Sequence, residues 1–109
     1  MMEVMVVRAT DARSNQPEPG LIRRIGAYTE KLFLAEHRME KGWVGTRHSH
    51  PHEQIVYVIS GHLKVNVGDQ DFEVHDGDSF VVRGGVEHQV EAMEPSFVID
   101  VFSPWREDY

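Results

Sequence analysis

From Leu21 to Phe102 the chain is a succession of short apolar runs broken by turn residues, with no stretch that holds the helical period. The runs are LIRRIGAY, KLFLAEHRME, QIVYVIS, HLKVNVG, DFEVH, DSFVV, VEHQVEAM and SFVIDVF, and the breaks between them fall at TE, EKG, SG, VGDQ, HDGD and RGG. Eight short strands at this spacing predict an all-β fold, a small antiparallel barrel or sandwich of the jelly-roll kind. The polar, proline-containing stretch DARSNQPEPG, residues 11–20, precedes the first run and is expected to be a loop. Because alternate residues of a strand share a face, Gln54, Val56 and Val58 look one way and Ile55, Tyr57 and Ile59 the other. The last run divides likewise into Val98, Asp100 and Phe102 against Phe97, Ile99 and Val101. Both faces of both strands are apolar. One face fits a barrel interior, and the other calls for a second sheet or a second subunit, so a homodimer is expected.

The 109 residues give one domain spanning residues 1–109, without repeat or internal linker, that buries roughly two-thirds of its unfolded surface. No apolar run approaches the roughly 18 residues that cross a bilayer. The opening MMEVMVVRATDARSN carries Glu3 where a secretory signal has positive charge, which makes cytoplasmic residence the expectation. Cysteine is absent, so disulfides, thiolate catalysis and sulfur-ligated zinc are excluded, and a metal would have to be held by histidine, carboxylate or amide oxygen. A net charge of −7 argues against nucleic acid and anionic membrane as partners. A small anionic substrate would need a local cation, for which Arg23, Arg24, Arg47, Arg83 and Arg106 are all available.

The chemistry concentrates in RHSHPHEQIVYVISG, Arg47 to Gly61. On extended backbone His48 and His50 project from one face with Cα atoms about 7 Å apart, close enough for both rings to reach one ion. Gln54 opens the following buried strand, where an amide is costly unless bonded or ligating. Pro51 interrupts the strand before His52 and Glu53, so parity alone does not say which residue after it turns inward. Nor does spacing choose a third imidazole among His37, His62, His75 and His88.

The order Gly42, His48, His50, Gln54, Gly61 resembles the first motif of the cupins, G-x5-H-x-H-x3-E-x6-G, with Gln54 in the glutamate position. Gly77, Gly85 and His88 are similar to the second, G-x5-P-x-G-x2-H-x3-N, with Arg83 replacing its proline and Ala92 its asparagine. The resemblance implies a cupin fold, the double-stranded β-helix, and a metal site of His48, His50, Gln54 and His88. Neither departure falls on a ligand. HSHPHEQIVYVISG, GDSFVV and the ending IDVFSPWREDY further resemble the small single-domain cupins of pectin and alginate breakdown, which convert 4,5-unsaturated monouronates to linear 5-keto sugars. That narrower likeness covers most of the chain from Leu32 onward and implies that Asp100, Phe102 and Arg106 accompany the metal in catalysis.

Elementary chemistry is consistent with that implication. Three neutral imidazoles and a neutral amide leave the full +2 charge on a bound ion, which suits a Lewis acid. Asp100, set in an apolar strand on the face of Phe102, is placed to move a proton beside it. The planar fork of Arg106 matches a uronate carboxylate, and Phe102 reads as core in any event. Zinc, nickel, iron and manganese all suit such ligands. Two other functions are compatible with the same motif: an iron-dependent dioxygenase, and a non-catalytic sugar-acid binder, the latter disfavoured by the lack of any DNA-binding extension or basic patch.

Overall fold

The computed structural model describes residues 3–109. Nine strands follow a 3-10 turn at Ala9–Asp11: β1 (Ser14–Glu18), β2 (Leu21–Tyr28), β3 (Phe33–Met39), β4 (Glu53–Ser60), β5 (His62–Val67), β6 (Gln70–His75), β7 (Ser79–Val82), β8 (His88–Ala92) and β9 (Ser96–Ser103). A six-stranded sheet in the order β1-β2-β3-β9-β4-β7 faces a three-stranded sheet in the order β6-β5-β8. Every pairing is antiparallel. The fold is the expected all-β jelly roll, and among the described residues no helix is long and apolar enough to cross a membrane.

One expectation needs correction. Residues 11–20 are not simply a loop, because Ser14–Glu18 pairs with β2 as an edge strand. All of its residues are exposed, so backbone bonding alone recruits it and no apolar alternation marks it in the sequence.

The alternation in the other strands decides what is buried. Val56 and Val58 of β4 and Val98 of β9 meet Leu63, Val65, Val74 and Ala92 of the second sheet in the main core. Ile25, Phe33, Ala35 and Phe102 form a second cluster at one end, packed by Tyr28, Trp105 and Tyr109. Each fully buried side chain of this kind stabilises the fold by about 1.5–3 kcal/mol. The residues after β9 fold back to close that end: the backbone N–H of Trp105 donates to the Glu30 carbonyl at 3.1 Å, and the Tyr109 ring lies edge-on to Phe33 and Phe102. Gly61 joins β4 to β5 at φ 118°, where an added Cβ would lie 2.6 Å from Ser96 Cα, so only glycine fits. The outer face of β4 and β7 is uncovered within one chain, leaving Ile55 51%, Tyr57 45% and Val81 56% exposed.

Candidate metal centre and adjoining pocket

The segment before β4 continues the three-stranded sheet along β8. Gly42 donates its N–H to the Ala92 carbonyl and Ala92 donates to that of Trp43, Gly45 donates to Val90, and bonds run in both directions between His48 and His88, at 3.1 and 2.9 Å. This register sets His48 directly opposite His88, which no spacing within the chain could reveal. Strand parity then brings in His50. The ring centroids lie 4.5 Å (His48 to His88), 4.8 Å (His50 to His88) and 5.6 Å (His48 to His50) apart, and the three rings offer ligand atoms within 4.8 Å of one another. The turn after β7 braces the loop from behind. Gly85 donates its N–H to the His50 carbonyl at 2.8 Å, and a Cβ on Gly84 would fall 2.4 Å from the Pro51 carbonyl oxygen. Val86 closes this turn on the Arg83 carbonyl at 3.3 Å, so it forms without the proline of the motif. Ala92, in place of the asparagine, is part of the core.

Each imidazole of the cluster has its Nδ1 against a backbone carbonyl: His48 on Thr46 at 2.9 Å, His50 on His52 at 3.0 Å and His88 on Val86 at 2.9 Å. Neutral rings so bonded donate from Nδ1 and carry the lone pair on Nε2. Burial, reinforced by the Arg106 and His88 charges, holds His50 below the usual imidazole range; burial likewise lowers His88. Both are thereby kept in the form that binds metal.

Gln54 makes the fit to a cation specific. Its Nε2 donates to Asp100 Oδ1 at 2.8 Å, which turns its Oε1 toward His50 Nε2 at 3.1 Å. An amide oxygen and an imidazole lone pair then confront each other with no proton between them. Two facing acceptors repel unless a positive centre lies between, and a divalent ion at the imidazole cluster answers that need. The ligand set His48, His50, Gln54 and His88 therefore fits a metal, and its nitrogen and oxygen donors suit zinc, nickel, iron or manganese. His52 and Glu53 stay out of it. His52 Nε2 turns instead to the Trp105 carbonyl at 3.0 Å, and Glu53 is exposed.

A cavity of about 340 Å³ adjoins the cluster, at the small end of the range for ligand pockets, and His48, Gln54, His88, Asp100, Arg106 and Tyr109 are among the residues that line it. Asp100 points into the barrel as strand parity requires and is buried. Its second oxygen lies 2.6 Å from His37 Nδ1, and His37 Nε2 in turn accepts from Arg23 Nε at 3.0 Å. Arg106 is buried, with its Nε and Nη2 bonded to Asp108 at 2.9 and 2.6 Å and its guanidinium against the Phe102 and Tyr109 rings. That grip, led by the side-chain bond from Arg106, pulls the Asp108 carboxyl down to about 2. Nη1 of Arg106 is buried and has no partner. Phe102 lies behind the cavity wall, edge-on to His50 at 5.9 Å, so it supports the ligand loop as well as the core.

Three further residues belong to the site. Arg23, His37 and Tyr109 line the cavity, and Tyr109 carries the Arg23 and Arg106 guanidinium groups 3.5 and 4.1 Å from its ring centroid. The available signal was a charged or polar residue on the apolar face of a strand, Arg23 between Leu21 and Ile25 and His37 between Ala35 and Met39. Sequence could not rank Arg23 among the arginines or His37 among the histidines.

The model of the cupin domain matches residues 35–102 of the chain. The chain is 33% identical over 92 residues, 83% of its length and 84% of the relative's, to pectin degradation protein KdgF of Dickeya dadantii (strain 3937). Among solved structures it is similar to KdgF from Halomonas sp., with TM-score 0.89, 35% identity and 98% of both chains covered. An RmlC-like cupin from Shewanella frigidimarina matches with TM-score 0.90 and 30% identity over 97% of this chain and 96% of that one.

Proposed function

The chain belongs to the cupin family, and from that premise we propose that it is a metal-dependent enzyme of pectin breakdown that opens the ring of a 4,5-unsaturated monouronate to give the linear 5-keto acid. Its likeness to the two KdgF proteins supports the pathway. The observation that carries the reaction is the convergence, on one cavity, of His48 and His88 of the imidazole cluster, the Gln54 amide, the Asp100 carboxylate and the Arg106 guanidinium.

A divalent cation held by His48, His50, Gln54 and His88 supplies Lewis acidity toward the sugar's oxygen atoms. Arg106 offers the uronate carboxylate a buried cationic N–H, and Asp108 fixes the direction in which that donor points. The ring-oxygen bond at the anomeric carbon breaks as the anomeric hydroxyl loses its proton and becomes a carbonyl. The ring oxygen departs as an enolate across C4 and C5, and delivery to C4 of a proton equivalent to the one lost from the anomeric hydroxyl completes the ketone. Asp100 moves that proton. It accepts two hydrogen bonds and keeps further lone pairs free, since a carboxylate offers about four acceptor sites. The chain works in this reading as a cytoplasmic homodimer joined through the apolar outer face of β4 and β7.

The test is to incubate the protein, loaded in turn with zinc, nickel, iron and manganese, with unsaturated monouronates from pectin and from alginate, following the loss of conjugated absorbance. Disappearance of the chromophore with a linear keto acid as product supports the assignment. Absence of turnover with every metal and both substrates refutes it.

A further inference from the structure

A row of polar side chains crosses the inner wall of the six-stranded sheet, one from each of four neighbouring strands: Arg23 on β2, His37 on β3, Asp100 on β9 and Gln54 on β4. Arg23 and His37 are direct cross-strand partners, and the next two contacts are diagonal, since Asp100 faces Ala35 and Val56 in register while Gln54 faces Phe102. The donor and acceptor roles along this row have a single direction. A guanidinium has only donors, so Arg23 Nε at 3.0 Å requires the lone pair of His37 on Nε2 and leaves the proton on Nδ1. His37 Nδ1 therefore donates to Asp100 Oδ2 at 2.6 Å. With both of its oxygens accepting, Asp100 presents only an acceptor to Gln54 at 2.8 Å, and the amide must offer its NH2 there and its oxygen to the imidazole cluster.

We infer that His37 is a positioning residue which, acting through Asp100, holds the Gln54 amide with its oxygen rather than its nitrogen turned to the metal. This rests on Gln54 being a ligand, as in the function proposed above. An amide nitrogen has its lone pair delocalised and points two N–H dipoles outward, so a flipped Gln54 would withdraw a ligand and set positive hydrogens against a cation. Nothing else touching the amide enforces the choice, because a neutral His50 ring with its lone pair on Nε2 would itself welcome the NH2. In the metal-free protein that alternative competes directly, and His37 decides between them. His37 is buried and reaches no imidazole ligand, so its influence on the metal passes along the row.

The test is a double-mutant cycle read as zinc affinity, by competition with a chromophoric chelator, independent of any turnover. His37→Phe fills the space without a donor and should weaken zinc binding about 10- to 100-fold. In the Gln54→Ala background the same substitution should change affinity by less than about twofold, because the group it orients is gone. His37→Asn, whose amide N–H sits near the Nδ1 position, should recover most of the wild-type affinity and serves as the readout if the phenylalanine variant folds poorly. Three results would overturn the inference: unchanged affinity in His37→Phe, an equal loss in both backgrounds, or no recovery in a folded His37→Asn. If Gln54→Ala alone leaves zinc affinity intact, the ligand assignment fails as well, whereas a loss there with none in His37→Phe sinks only the role of His37.

Discussion

Replacing Asp100 by asparagine changes one atom, yet the structure makes it a severe test. The carboxylate accepts from His37 at 2.6 Å and from Gln54 at 2.8 Å. Asparagine can satisfy only one of those donors and turns an NH2 against the other. If its oxygen stays with His37, the new NH2 meets the Gln54 NH2, and the Gln54 amide escapes by flipping. A hydrogen bond to a charged group is worth about 1.5–3 kcal/mol, and relief of the buried charge offsets part of that loss. We expect a net destabilisation of about 1–2 kcal/mol, seen as a fall of about 4–12 °C in the melting midpoint of the metal-free protein. Turnover of the unsaturated uronate at saturating metal should fall about 10²- to 10⁴-fold through loss of the proton carrier. Half-saturation by metal should move to higher concentration in the same protein. An Asp100→Asn enzyme that turns over at the wild-type rate once metal is saturating would remove the aspartate from the chemistry.

Other substitutions probe neighbouring parts of the same construction. His88→Ala should lose most bound metal, measured by elemental analysis after desalting, while circular dichroism keeps the strand signal, because the apolar cores do not depend on the ring. Arg106→Ala should raise the half-saturating uronate concentration about 10- to 100-fold with a smaller change in maximal rate, since it removes a charge-assisted clamp worth about 1.5–3 kcal/mol; a rate loss with unchanged saturation would contradict that role. Burial holds His50 and His88 below the usual imidazole range in the fold, so the unfolded chain binds more protons between their lowered values and that range. Denaturant titrations of the metal-free protein should accordingly show stability rising with pH across that window and levelling above it, and a falling trend there would be the wrong sign. Tyr57→Lys, on the exposed face of β4, should shift sedimentation from dimer to monomer without altering the fold.

What the sequence disclosed follows from which constraints are local. Parity along one strand suffices to put His48 with His50 and Asp100 with Phe102, and the structure keeps both pairs together. His88 was reached only through resemblance to a family, because its place opposite His48 depends on the pairing of two segments distant in the chain. The row from Arg23 to Gln54 was hidden for the same reason: its contacts join residues 14, 63 and 46 positions apart. Strand β1 escaped notice because SNQPE has no buried face to impose a pattern. The partial occupation of Arg106 by Asp108 could not be read either, since it requires the chain after β9 to fold back on itself.

The four residues proposed to hold the metal do not come from one layer of the fold. His48 and His88 extend the three-stranded sheet, whereas Gln54 belongs to the six-stranded one. A metal bound by all of them is a clasp across the barrel, and the complete set exists only while the two layers are closed on each other. An opened or partly folded chain would meet the ion with an incomplete set, so metal in solution pulls the population toward the closed barrel by mass action.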